Sequence, residues 1–179
     1  MKAIQTDCDL LVAFTRREMI MKTRILLVVA LALVMAGILS VAPAAAGDAV
    51  VPFRATYTMH PRIVGATPDG CNIQELPGEG QATHLGLSTF YSDAVACFAT
   101  LTQSGDMLFT AANGDELHGS FEGSLDFYAP GYVRFWGSYS ITDGTGRFEG
   151  VTGTGSYEGT AELVPDGEGI LNLEGTLTK

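Results

Sequence analysis

Three histidines, three cysteines and twenty acidic residues are the groups with which this 179-residue chain could do chemistry. The spacing of each set argues against a reaction. His60, His84 and His118 fall in three separate segments with no H-x-H or H-x-x-x-H pattern, so they predict no metal site. His118 and Glu122 share one face of an extended segment, but four residues of strand separate them by about 13 Å. Asp143-Gly144-Thr145-Gly146 lacks the oxygen-ligand spacing of a calcium loop. Gly144-x-Gly146 opens no helix, so it cradles no phosphate, and no cofactor is expected. Glu122, Asp126, Glu158, Glu162 and Glu174 alternate onto polar faces, where water keeps a carboxylate ordinary; solvated charge is expected there, not an acid–base dyad. No serine sits in a nucleophile elbow, and Cys97 has no local partner to activate it. No catalytic residue is assigned. Asn113 and Asp115 are expected to shape their own turn. His84 has two readings. Pointing inward, it is a polar handle in an apolar pocket; otherwise it is a hydrogen-bonded structural histidine.

Two further chemical features concern export and cross-linking. Met21-Lys22-Thr23-Arg24 is a basic n-region, residues 25–41 are apolar or small apart from Ser40, and Ala44-Ala45-Ala46 offers a small-x-small cleavage site. The pattern predicts a signal helix, cleavage after Ala46, and a secreted or periplasmic product. The competing reading is an uncleaved anchor, since 17 apolar residues lie at the short limit of a membrane span. Met21 heads a normal signal peptide, so residues 1–20 are expected to lie upstream of the natural start. The domain division is a leader over 1–46 and one folded domain over 47–179. Cys8 falls in the leader. Cys71 and Cys97 remain, and an exported compartment favours a disulfide between them over two buried thiols. From Gly47 onward the chain carries 5 basic and 17 acidic residues, a net charge of −12. Without a Lys/Arg cluster it should be repelled by nucleic acid and anionic membranes. No membrane span is expected after cleavage.

The elements that hold these residues are strands. Residues 133–141 place Val133, Phe135, Gly137, Tyr139 and Ile141 on one face. Residues 154–163 do the same with Gly155, Tyr157, Gly159, Ala161 and Leu163, and residues 171–178 with Leu171, Leu173, Gly175 and Leu177. Strict alternation means antiparallel strands with one dry face. Earlier strands are expected over 50–59, 81–91, 94–103, 107–112 and 116–127, the last with Leu117, Gly119, Phe121, Gly123, Leu125 and Phe127 inward. Turns are expected at Ser104-Gly105-Asp106 and Asn113-Gly114, and a short strand over 147–151. Residues 60–80, rich in Pro and Gly, read as a long loop pinned by Cys71. No helical periodicity follows residue 47. About eight strands in sequence, joined by short turns, predict an all-β, antiparallel up-and-down barrel. Glycines recur on its apolar face, which calls for strand bending, room for neighbouring aromatics, or room for a ligand.

Gly80-Gln81-Ala82-Thr83-His84-Leu85-Gly86, Thr110-Ala111-Ala112-Asn113-Gly114-Asp115 and the run from Ile141 through Asp143-Gly144-Thr145-Gly146-Arg147-Phe148 to Gly150 resemble a bacterial exported family with an allene-oxide-cyclase-like barrel. The last also resembles the Gly-Gly-Thr-Gly-x-Phe hairpin of dirigent proteins, with Asp143 in place of the first Gly. The resemblance implies a barrel that can enclose hydrophobic or phenolic molecules. It transfers no active-site residue, and fold alone licenses no activity. Three functions follow as expectations. The first is non-catalytic binding of a small apolar or aromatic ligand, with Tyr57, His84, Phe121, Tyr139 and Tyr157 as the lining. The second is an isomerase or cyclase of the allene-oxide-cyclase kind. The third is a structural or interaction role, including a homo-oligomer.

Overall fold

A computed structural model describes residues 49–164 and 167–179. The leader, its predicted signal helix and its cleavage site lie outside the described residues. The elements are β1 (Val50–Met59), β2 (Arg62–Ala66), β3 (Asn72–Glu75), β4 (Gly78–Ala82), β5 (Gly86–Cys97), β6 (Thr102–Ala111), β7 (Glu116–Ala129), β8 (Tyr132–Gly144), β9 (Thr152–Glu162) and β10 (Gly169–Thr178). One turn of 3-10 helix, Gly146–Phe148, stands where a short strand was expected over 147–151.

Each strand pairs antiparallel with the next from β5 to β10, and β10 pairs with β1. The ring closes through β4, which lies between β1 and β5. β1 and β2 together make one long strand, and β3 and β4 another, each interrupted once. Met59 faces Gly78 and, three residues on, Arg62 faces Glu75, so the register of β1–β4 continues unbroken into β2–β3. Likewise Gly78 faces Phe90 and Glu75 faces Asp93 across β5. The breaks fall at Pro61 and Pro77, where a ladder amide is missing. The His60 amide donates to the Pro77 carbonyl at 2.8 Å and bridges the gap. The result is a closed eight-stranded antiparallel barrel, with β2–β3 projecting from one rim as an arm.

This corrects the expected loop over 60–80. Proline and glycine mark interruptions in pairing there, not its absence. A second correction concerns β5 and β6. No turn occurs at Ser104-Gly105-Asp106, which lies inside β6; the chain reverses after Cys97, where Leu101 takes a positive φ of 57°. The inward residues of β5 are Ser88, Phe90, Ser92, Ala94 and Ala96, and Cys97 is on the opposite face to them. Cys97 is bonded to Cys71, which ties the arm to the barrel wall. Closing a loop of 26 residues contributes about 3–4 kcal/mol on the loop-entropy picture.

Inward positions carry the apolar residues and outward positions carry Thr, Ser, Glu and Arg, the reverse of a barrel that spans a bilayer. The inward glycines are covered by aromatic rings. A methyl group on Gly159 would strike the Phe135 ring, and one on Gly105 the Phe121 ring. The Tyr157 hydroxyl occupies the room left by Gly123 and Gly137, and the Tyr139 hydroxyl the room left by Gly155 and Gly175. A ring or its hydroxyl thus takes up the room beside bare backbone, which returns contact that glycine forfeits.

Candidate functional site

The two ends of the barrel are built differently. The terminal end holds the domain's N- and C-terminal strand ends and the β4–β5, β6–β7 and β8–β9 connections. Its interior is packed. Phe53, Tyr57, Phe90 and Phe109 form a chain of ring contacts, with centroids 5.4 to 5.9 Å apart. Tyr139 joins it edge-on to Phe53 at 6.3 Å. Leu85, Phe148 and Val151, all buried, close that end. Leu85 belongs to the β4–β5 turn and the other two to the β8–β9 connection. The Phe148 and Val151 positions are reached because the 3-10 turn folds the connection back over the opening.

The arm end holds the β5–β6, β7–β8 and β9–β10 connections and the β2–β3 arm. Here the interior is hollow. A cavity of about 470 Å³ opens at this rim. That lies within the range of about 300–1,000 Å³ typical of small-molecule sites. Its floor is Phe90, Met107 and Leu171, and its walls include Phe121, Leu125, Phe135 and Tyr157. Met59, Leu76 and Phe98 narrow it toward the arm, and Arg62, Gln74 and Glu162 stand at its mouth. Inside, the one polar pair is Gln103 and Tyr157, where the Gln103 side-chain amide donates to the Tyr157 hydroxyl at 3.0 Å. Burial pushes the Tyr157 hydroxyl up to about 12 despite the lowering effect of Gln103, so it stays protonated and can itself donate.

Of the residues expected to line a pocket, Phe121 and Tyr157 line this cavity. Tyr57 and Tyr139 are buried in the filled half. The Tyr57 hydroxyl is bonded to Ser88 Oγ at 2.8 Å, whereas the Tyr139 hydroxyl has no hydrogen-bond partner. Burial raises both hydroxyls to about 12. His84 lies outside the barrel. It occupies the β4–β5 turn with a positive φ of 68°, and its exposed ring donates from Nε2 to the Pro52 carbonyl at 3.0 Å. The structural reading of His84 is therefore the one that fits; the expectation of a strand running through it is corrected to a turn. Phe127, expected inward, is exposed because β7 runs past the rim. Gln103 was missed, although it shares the parity of Met107 and Phe109; the expected turn at 104–106 concealed that.

The rim itself is apolar. Among the described residues, fourteen large hydrophobics are exposed, and nine of them belong to the arm end against two, Val50 and Leu87, at the terminal end. The β7–β8 turn supplies Phe127, Tyr128 and Tyr132, the β9–β10 connection Leu163 and Val164, and the β5–β6 turn Leu101. The arm supplies Ile63, Val64 and Ile73. Phe98 packs on Phe127 at 5.3 Å and Tyr128 on Tyr132 at 5.9 Å, so the exposed rings are held and not splayed.

A wider depression of about 960 Å³ crosses the outer wall between Arg54 and Trp136. It is open and polar, and Arg54 pairs with Glu174 at 2.9 Å while Thr56 donates to Asn172 at 2.9 Å. Among the described residues no group of three or more His, Cys, Asp or Glu side chains is placed to hold a metal ion. His118 instead meets Glu116 at 3.0 Å on the exterior. No helix of the described residues is long and apolar enough to cross a membrane.

The chain matches no protein-family model and no curated protein. The resemblance read in its turns therefore has the barrel as its support, and a closed eight-stranded antiparallel barrel is consistent with that family without being specific to it.

Proposed function

We propose that this chain is a non-catalytic binding barrel that takes a small apolar or aromatic ligand into the cavity at its arm end. The observation that carries the reading is the contrast inside one barrel: rings fill the terminal half, whereas the arm half keeps an apolar chamber with a single polar pair. A ligand with an apolar body and one hydrogen-bonding group fits it, the body against Phe121, Leu125 and Phe135 and the polar group against Gln103 and Tyr157. N-phenyl-1-naphthylamine, which brightens in apolar surroundings, tests this. The expected result is saturable binding that Ala96→Phe, which adds a ring to the chamber wall, weakens by about tenfold or more. No saturable signal from the unaltered chain, or equal binding by the filled variant, overturns it.

The second reading, an isomerase or cyclase of the allene-oxide-cyclase kind, draws on the same Gln103–Tyr157 pair, an oriented donor inside an apolar chamber. Recovery of bound molecules unchanged after long incubation counts against it. Export to the periplasm or medium after cleavage at Ala46 belongs to the same proposal, as does membership of the allene-oxide-cyclase-like or dirigent-like barrels. The first is supported by the n-region, apolar run and Ala-rich site, the second by the barrel and its turn motifs. Mass spectrometry of the exported chain tests the cleavage site.

A further inference from the structure

Three stretches of the arm-end rim carry no charge, although its β9–β10 connection holds Glu162, Asp166 and Glu168 and its arm Arg62 and Asp69. Residues 98–105 and 127–133, which carry the β5–β6 and β7–β8 turns, contain no charged side chain, and neither do residues 63–68 of the arm. Just behind the β7–β8 turn, Arg134 and Asp126 cancel one another through two hydrogen bonds of 2.6 Å. The terminal end differs: its β6–β7 and β8–β9 connections and their flanks carry Asp115, Glu116, Asp143, Arg147 and Glu149, and among the described residues its exposed large hydrophobics are Val50 and Leu87. Phe127 is 52% exposed and Tyr128 51%, at the β7–β8 turn, and Val164 52%, in the β9–β10 connection beside the same opening. A contiguous exposed patch of this kind marks a contact with something apolar.

We infer that the arm end docks on the surface of an electrically neutral lipid layer, with Phe127, Tyr128, Leu163 and Val164 inserted at its interface. Three observations choose lipid over a second copy of the chain. First, Ile63, Leu163 and Val164 belong at once to the exposed rim and to the cavity lining, so patch and cavity are continuous, and a copy seated there would seal both chambers. Second, two copies of the domain over 47–179, each of net charge −12, repel each other. Third, Tyr128 and Tyr132 are exposed at the rim and pack on one another, and tyrosine, an apolar ring with a polar hydroxyl, suits a membrane–water boundary. The same net charge sets the lipid: anionic headgroups repel the chain, and zwitterionic ones do not. The polar outer wall keeps the barrel from entering further, so the chain rests on the layer and does not span it. Docking rests on the rim alone. Passage of a ligand from lipid into the chamber rests in addition on the ligand-binding reading.

Flotation with phosphatidylcholine vesicles, without ligand, tests the docking. The chain is purified after export, with its N-terminus fixed by mass spectrometry. Expected is co-flotation that falls when phosphatidylglycerol is mixed into the vesicles and that drops about tenfold or more in Phe127→Ser/Tyr128→Ser, whose rings are removed from the interface. Those two residues do not line the cavity, so dye binding by that variant stays unchanged, which separates failure of the docking from failure of the ligand reading. Val50→Ser/Leu87→Ser, at the other end, floats like the unaltered chain. The inference is overturned if the unaltered chain stays at the bottom of the gradient, or if the two double variants float alike. It is also overturned if a sizing column shows a dimer that Phe127→Ser/Tyr128→Ser takes apart, because the rim then faces a second copy.

Discussion

The terminal half of the barrel and its arm half share the same strands, yet one is solid and the other hollow. The difference lies in what the inward rings meet. In the terminal half Phe53, Tyr57, Phe90, Phe109 and Tyr139 meet one another across the axis. In the arm half Phe121 and Phe135 meet only the edges or faces of Tyr157, lie back over glycine backbone, and leave the axis empty. Glycine on the inner face thus does two jobs. It admits a ring that reaches the centre in one half, and it lets a ring flatten against the wall in the other. Stability should therefore be concentrated at one end, and the capacity to hold a guest at the other.

The largest expected effect tests that division directly. Phe109→Ala, in the solid half, should cost about 3–5 kcal/mol in urea unfolding, the loss of a fully enclosed ring and the cavity it leaves. Phe121→Ala should cost clearly less, about half, since part of its surface already faces an empty chamber. Equal costs would remove the contrast. Next comes the cross-link. Replacing Cys71 and Cys97 with Ser should lower stability by about 3–4 kcal/mol, and hydrogen exchange should rise first in β2 and β3, at the hollow end. Uniform acceleration across the barrel would show that the arm is not a separate unit.

Alkaline titration sharpens the picture further. Below pH 10 the buried tyrosines are protonated in both folded and unfolded chains and make no difference to stability. Between the ordinary value of 10.0 and about 12, the unfolded chain ionises first, so stability falls as pH rises. Tyr57, Tyr139 and Tyr157 should therefore ionise together with unfolding, followed by absorbance against circular dichroism. Ionisation of all three before unfolding would contradict their burial. The smallest effect is expected at Tyr139. Its hydroxyl lacks a partner, so Tyr139→Phe should leave stability unchanged or raise it by up to about 1 kcal/mol, whereas Tyr157→Phe strands the Gln103 amide and should lower it by a similar amount.

Much of the fold was legible where alternation was uninterrupted. β1 has the bounds its pattern predicts, and β8, β9 and β10 place Phe135, Tyr139, Tyr157 and Leu173 inward as their parity requires. The failures were of two physical kinds. Around Pro61 and Pro77 the chain loses a ladder amide but keeps its register, and local composition reports the first and not the second. At Gly105 a glycine between Ser and Asp has the look of a turn, yet it is there to accept the Phe121 ring, a neighbour sixteen positions away in sequence. That second misreading hid Gln103. The errors offset one another in the strand total, since β5 and β6 were read as three strands while most of β4 was read as loop. Which half of the barrel stays hollow could not be read, because whether inward rings meet on the axis depends on barrel shape and not on alternation.

The ring-on-glycine contacts bind the chain's possible changes to one another. Tyr139 fills the hollows of Gly155 and Gly175 together, and a Cβ at either position would also press on the neighbouring strand's backbone, at the Glu174 and Thr154 carbonyls, so shrinking position 139 lifts only part of the conflict. Gly155→Ala is therefore expected to stay harmful beside Tyr139→Leu, with the combined cost falling short of the sum of the two. A wall assembled this way cannot be altered one position at a time.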